Sequence, residues 1–223
     1  MYNFDLIQTI TIWAIPVLLA VIVHEVAHGY IANLLGDKTA LILGRLTLNP
    51  VKHINLFGSI ILPILCLLLN TFIIGWAKPI PINPNNFKNY KLDTALVALA
   101  GPGSNLIMAL LWATFIKILI TLLNTYNLAL SYPIKFFLLQ MGFAGISINL
   151  LLMILNLIPI PPLDGSRILN VFLPNNLTKI YNHLEDYGFI ILIILIYNNN
   201  NFINTPFILA KNLVLSIFEI NYY

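Results

Sequence analysis

Two histidines four residues apart bracket a glutamate in the run His24-Glu25-Val26-Ala27-His28. On a helix that spacing puts both imidazoles on one face, one turn apart. Two neutral imidazoles so placed can share a zinc ion. Glu25 adjoins the first of them, where its carboxylate can reach a metal-bound water. Zinc draws the pKa of such a water towards about 7, and the carboxylate can take its proton and hand it to a leaving amine. That is the chemistry of a zinc peptidase. The rival reading is coincidence, which would match the pattern in roughly one per cent of chains this size at average residue usage. Context weighs against it. The three ionisable residues directly follow the uncharged run 6–23, which reads as a membrane helix, and ionisable groups there are costly and by default functional. The structural alternative is a His/Glu hydrogen-bonding network between helices.

A catalytic zinc usually takes a third protein ligand and keeps one position open. His53 and His183 lie in polar, loop-like surroundings and read as ordinary loop histidines. Cys66 is the one cysteine, which excludes a thiolate site and a disulfide framework; it reads as a small apolar residue packed in a membrane helix. Asp164 follows a long apolar segment and sits between Pro162-Leu163 and Gly165. The prolines break the helix, so its carboxylate can turn back into a bundle. It can equally cap a helix starting near Gly165, and local sequence leaves the two readings even.

The elements that must position these groups are membrane helices. The chain has 223 residues, 59% of them hydrophobic and 9% charged, against about 25% charged in a soluble domain. So few polar side chains cannot cover a water-exposed surface, and the bilayer is the matching solvent. The net charge of +3 is scattered, with no basic patch for nucleic acid. The first residues lack the basic start and small-residue cleavage site of a removable signal, so 6–23 reads as a retained helix running on through the motif to Leu35. Residues 41–48 alternate weakly around Arg45 and read as a short strand or extended segment. Uncharged stretches follow at 54–77, 94–116 and 136–163, with weaker candidates at 187–197 and 207–218. Gly58 and Pro63 make the second stretch a candidate for re-entry rather than spanning. The expected fold is an all-α polytopic membrane protein, a bundle of about five or six transmembrane helices with an extended segment after the first. It forms one domain over 1–223, with a catalytic core at about 6–172 and C-terminal hydrophobic helices at about 180–219. Basic residues in successive loops leave orientation tied.

The motif at 24–28, together with Asn156-Leu157-Ile158-Pro159-Ile160-Pro161-Pro162-Leu163-Asp164-Gly165, resembles the site-2 protease family of intramembrane zinc proteases. Ala100-Gly101-Pro102-Gly103-Ser104-Asn105 is similar to that family's small-residue motif on the intervening helix. Gly44-Arg45-Leu46-Thr47-Leu48-Asn49-Pro50 and Gly75-Trp76-Ala77-Lys78-Pro79-Ile80-Pro81-Ile82-Asn83-Pro84 resemble the small bacterial branch without a PDZ domain. The resemblance spans about residues 20–172, and the ordered set is far more specific than any one motif. It implies that His24, His28 and Asp164 ligate one Zn2+ per chain and that Glu25 is the general base and acid. Asn156 matches an asparagine near the metal; its amide would orient substrate or stabilise an oxyanion, or simply tie helices together. Asn105 reads as structural, tying helices or supporting the site. One departure stands out: the branch usually carries His-Ile-Asp-Pro where this chain has His53-Ile54-Asn55-Leu56, which alters a loop and no proposed ligand.

The resemblance implies a transmembrane or membrane-adjacent protein substrate that unwinds locally, and a multi-pass location in a bacterial cell membrane, in contact with lipid. Residues 41–48 could pair with the unwound substrate by β-addition or merely cover the site. Without a PDZ-like insertion, recognition falls to the bundle or to a separate presenting partner. The alternative function is a non-catalytic transporter, channel or scaffold using the same polar cluster. A membrane-anchored zincin with a soluble active site would need a polar catalytic domain that this chain lacks.

Overall fold

A computed structural model describes residues 6–55, 61, 77–125, 130–198 and 201–220, and every regular element among them is helical. Helix α1 spans Leu6–Leu34. Much of it is β-branched, a composition that favours strands in water. In lipid, however, each backbone N–H must find a partner within its own segment, and helix is the solution for a single chain segment. The helix ends where Gly36 adopts φ +111°. Gly36 N–H donates to Asn33 O and Asp37 N–H to Ala32 O, the paired bonds of a left-handed helix stop. A single turn, α2 (Thr39–Ile42), follows. Helix α3 (Tyr90–Thr125) carries Pro102 in its interior. Helix α4 (Tyr132–Leu157) ends just before the proline run at 159–162, because a proline disfavours helix in the residue before it. Then come α5 (Asp164–Leu169), α6 (Asn175–Asn182), α7 (Glu185–Asn198) and α8 (Asn201–Ile217).

Helix α3 is the centre of the bundle, packing on α4, α1 and α5, while α8 lies against α4. Ala109, Trp112, Ala113 and Ile116 of α3 close on Ile146 and Leu150 of α4 and on Val214 and Leu215 of α8. Small residues on α3 and α4 permit this approach. Large apolar side chains such as Ile7, Ile107, Leu111 and Ile118 point outward, as expected where the surroundings are hydrocarbon.

Helices α1, α3 and α4 are long and apolar enough to cross a membrane. Helices α7 and α8 coincide with the two weaker candidates, but their 14 and 17 residues fall short of the roughly 20 a straight crossing needs. Most of the apolar stretch 54–77, including Cys66 and the choice between spanning and re-entry, lies outside the described residues, as does Leu56. The extended segment expected at 41–48 is not a strand. Its start is the helical turn α2, and Leu43, Gly44 and Arg45 donate their N–H groups to Thr39, Leu41 and Ala40. Those donors are used locally, so Leu43, Gly44 and Arg45 do not offer their N–H groups to a pairing strand. The weak alternation misled because Leu41, Ile42 and Leu43 are all exposed, so there is no half-buried face.

The fold anchors the loop before α3 through Asp37, whose side chain is fully buried. Its carboxylate accepts from Asn83 N–H at 2.7 Å, Asn86 Nδ2 at 2.7 Å, Thr39 N–H at 3.1 Å and the Thr39 hydroxyl. Burial alone would push this carboxyl upward; the hydrogen bonds from Thr39, Asn83 and Asn86 outweigh it and hold the group below its ordinary value. The carboxylate's contribution is therefore complete above the unfolded pKa of about 3.9 and is lost as pH falls through the lower folded value. Thermal melts taken from pH 6 down to pH 3 should show a falling midpoint that is shallower in Asp37→Asn. At pH 7 that variant should cost about 2 kcal/mol, since an amide NH2 would face donors.

Candidate metal centre

His24 and His28 lie on α1, as the spacing predicts, and Asp164 opens α5. The three ligand atoms come within 4.8 Å of one another, and this is the group among the described residues that could hold a metal ion. Both Nε2 atoms stand 3.3 Å from Asp164 Oδ2 and 3.0 Å from each other. The rings meet edge to face, with centroids 4.6 Å apart.

The outer nitrogens decide the chemistry. His24 Nδ1 donates to Asn105 Oδ1 at 2.6 Å and His28 Nδ1 to the Val97 carbonyl at 2.7 Å. Pro102, inside α3, cannot donate to the Ala98 carbonyl, and the Val97 carbonyl one residue earlier receives His28. With both Nδ1 atoms protonated, both Nε2 atoms of the neutral rings present lone pairs. Asp164 Oδ2 joins them, buried and without a hydrogen-bond donor. Three buried lone-pair atoms converging on one point repel one another unless a cation sits between them. Donors about 2.0–2.1 Å from a tetrahedral zinc lie about 3.3 Å apart, which matches the observed separations. Two imidazoles, a carboxylate and ring nitrogens braced from behind are a donor set suited to zinc. Gly101 makes room for it, because a Cβ there would overlap both imidazoles, including His28 Nε2.

Glu25 occupies the same turn of α1, partly buried, with Oε2 accepting the Ile80 N–H at 2.7 Å. The extended segment carrying Ile80 is held by Arg45, whose Nη2 donates to Lys78 O at 3.0 Å and Pro79 O at 3.3 Å. Asn156 is not drawn into the cluster: its amide donates to Leu152 O, one turn back on α4. His53 is buried on a loop with Nε2 on Thr47 O, and exposed His183 ends α6; neither joins the centre.

Residues beyond those read from the sequence complete the surroundings. Asn149 hydrogen-bonds Asn105 at 3.0 Å. The signal was present, an amide inside an apolar helix, but a single polar residue does not reveal its partner. Val97 and Ile80 act through backbone atoms, which no side-chain pattern reveals.

Curated relatives of this chain are named as zinc metalloproteases. The chain is 39% identical over 181 residues to "Putative zinc metalloprotease YwhC" of Bacillus subtilis (strain 168), covering 81% of this chain and 78% of the relative. The chain belongs to the site-2 protease family. It is 28% identical over 179 residues to "Putative zinc metalloprotease Rip2" of Mycolicibacterium smegmatis, covering 80% of this chain but 64% of that relative's length. The Rip2 of Mycobacterium tuberculosis H37Rv matches at the same identity over 63% of its length. No family model matches, and no solved structure matches. In this member of the site-2 protease family, His24, His28 and Asp164 form a group that could hold a metal ion.

Proposed function

We propose that this chain is an intramembrane zinc endopeptidase acting on transmembrane or membrane-adjacent proteins. The observation that carries the reading is the convergence of His24, His28 and Asp164 inside a bundle whose three main helices have membrane length. The relatives' names support zinc and proteolysis. His24, His28 and Asp164 would hold one Zn2+, which when bound supplies Lewis acidity that acidifies water and polarises a carbonyl. Glu25 removes a proton from the attacking water and returns it to the departing amine nitrogen. The Ile80 N–H keeps that carboxylate oriented while it waits. The Asn156 amide, at the end of α4 that leads into the turn before Asp164, is proposed to orient the substrate carbonyl.

Water must reach the centre. A cavity of about 260 Å³ beside α5 is lined by Thr94, Ser166, Arg167, Asn170 and Asn182 among others; His24, Glu25, His28 and Asp164 do not line it, and a path for water from it to the centre is part of the proposal. The location proposed is multi-pass in a bacterial cell membrane, with lipid around the bundle and the substrate entering from it, alone or through a presenting partner. The purified protein should contain about one zinc per chain by metal analysis. It should cleave a generic transmembrane substrate, lose that activity to a chelator and regain it with zinc. Purified protein free of zinc, with cleavage insensitive to chelator, would falsify the reading and favour the non-catalytic alternative.

A further inference from the structure

We propose that Asn149 is a positioning residue for the metal ligand His24, acting through Asn105; the inference rests on the zinc reading above. His24 can offer Nε2 to a metal only if Nδ1 carries the ring proton. The group facing Nδ1 is the side-chain amide of Asn105. An amide can present its oxygen or its NH2 to the same point with almost no change of shape. Turned the wrong way, it would donate to Nδ1, place the ring proton on Nε2 and remove the ligand. Something must set its direction.

The structure supplies a one-way chain of hydrogen bonds. It begins at the Gly145 carbonyl, which can only accept and takes Asn149 Nδ2 at 2.8 Å. That bond leaves Asn149 Oδ1 as an acceptor towards α3, and it receives Asn105 Nδ2 at 3.0 Å. Asn105 Oδ1 is thereby turned to His24. The Ala20 carbonyl, a longer acceptor at 3.3 Å, assists from α1. A reversed Asn105 would aim its oxygen at two other oxygens. Both asparagines are fully buried, so bulk water cannot substitute for a lost partner. The direction set by one backbone carbonyl on α4 thus passes through α3 to the tautomer of a ligand on α1.

The test is zinc affinity of the intact purified protein, measured by competition with a chromogenic chelator. Asn149→Leu should weaken zinc about ten-fold and Asn105→Leu by up to about 100-fold, the range for losing a group that braces a metal ligand. In the double variant the Asn149 substitution should add no further loss, because its effect runs through Asn105. An affinity unchanged in Asn149→Leu, or the same loss on both backgrounds, overturns the inference. A purely structural role would lower the melting temperature and leave affinity alone. Should Asn149→Leu not fold, Asn149→Ser serves: its hydroxyl can return to the Gly145 carbonyl but is too short to reach Asn105, so the same loss is expected and an unchanged affinity again overturns the inference. Wild-type protein that binds no zinc overturns the metal reading and this inference with it; zinc held equally by wild type and variants overturns this inference alone.

Discussion

Glu25→Gln protein should keep its zinc and lose about a thousand-fold in kcat. General acid–base catalysis contributes typically about 10²–10⁴-fold, and glutamine can neither take up the water's proton nor deliver one to the leaving nitrogen. Its side-chain oxygen still accepts from the Ile80 N–H, which holds the carboxylate at 2.7 Å in the wild type, so the fold around the base should survive. Zinc content should not change, since the converging ligand atoms belong to His24, His28 and Asp164. The pattern that matters is retained metal with lost turnover on a transmembrane substrate. Activity within a few-fold of wild type would remove Glu25 from the proton transfers.

A second large effect should follow from one added methyl group. Gly101→Ala places a Cβ into the imidazoles of both His24 and His28. The conflict can be relieved by moving the rings off their shared point or by moving α3 away from α1. Overpacking of this kind costs about 1–3 kcal/mol. Spent on ligand geometry, that cost weakens zinc binding about ten- to hundred-fold, and misplaced reacting groups can remove a further factor of about a hundred in rate. The internal control lies two residues on, where a Cβ at Gly103 would meet nothing within 4 Å. Gly103→Ala should leave zinc affinity unchanged and, as glycine to alanine in a helix, slightly raise stability. Chelator competition and thermal melts on the two variants separate the outcomes. Equal behaviour of Gly101→Ala and Gly103→Ala would mean that close approach of α3 does not shape the centre.

The two variants also show where sequence reading stops. Both glycines belong to the run Ala100-Gly101-Pro102-Gly103-Ser104-Asn105, and its small residues suggest close helix contact without saying which glycine carries it. The rotation of α3 against α1 decides that, and rotation depends on packing of the whole bundle. Asn105 reads as a helix tie, and so it is, but the helix it ties is α1 at His24. Residues 41–48 show the reverse failure: a weak alternation suggested a strand, but a strand needs a partner, and here the N–H groups bond locally.

The sequence by itself determined the membrane setting, the first helix through the motif, and the placing of His24 and His28 one turn apart beside Glu25. These follow from composition and from 3.6-residue periodicity, which are local properties of the chain. It also offered Asp164 as a ligand or a helix cap with equal weight. Tertiary structure carries residue 164 back to 3.3 Å from both imidazoles, the placement that the proposed ligand role requires, and that separation depends on how α3 and α4 fold the intervening chain back on itself. Tertiary structure alone placed Ile80 on Glu25, Val97 on His28 and Asn149 behind Asn105. Two of those contacts use backbone atoms rather than side chains, and the third joins an amide to a partner 44 positions away. Side-chain type and spacing carry no record of such contacts, because they arise where separate helices meet.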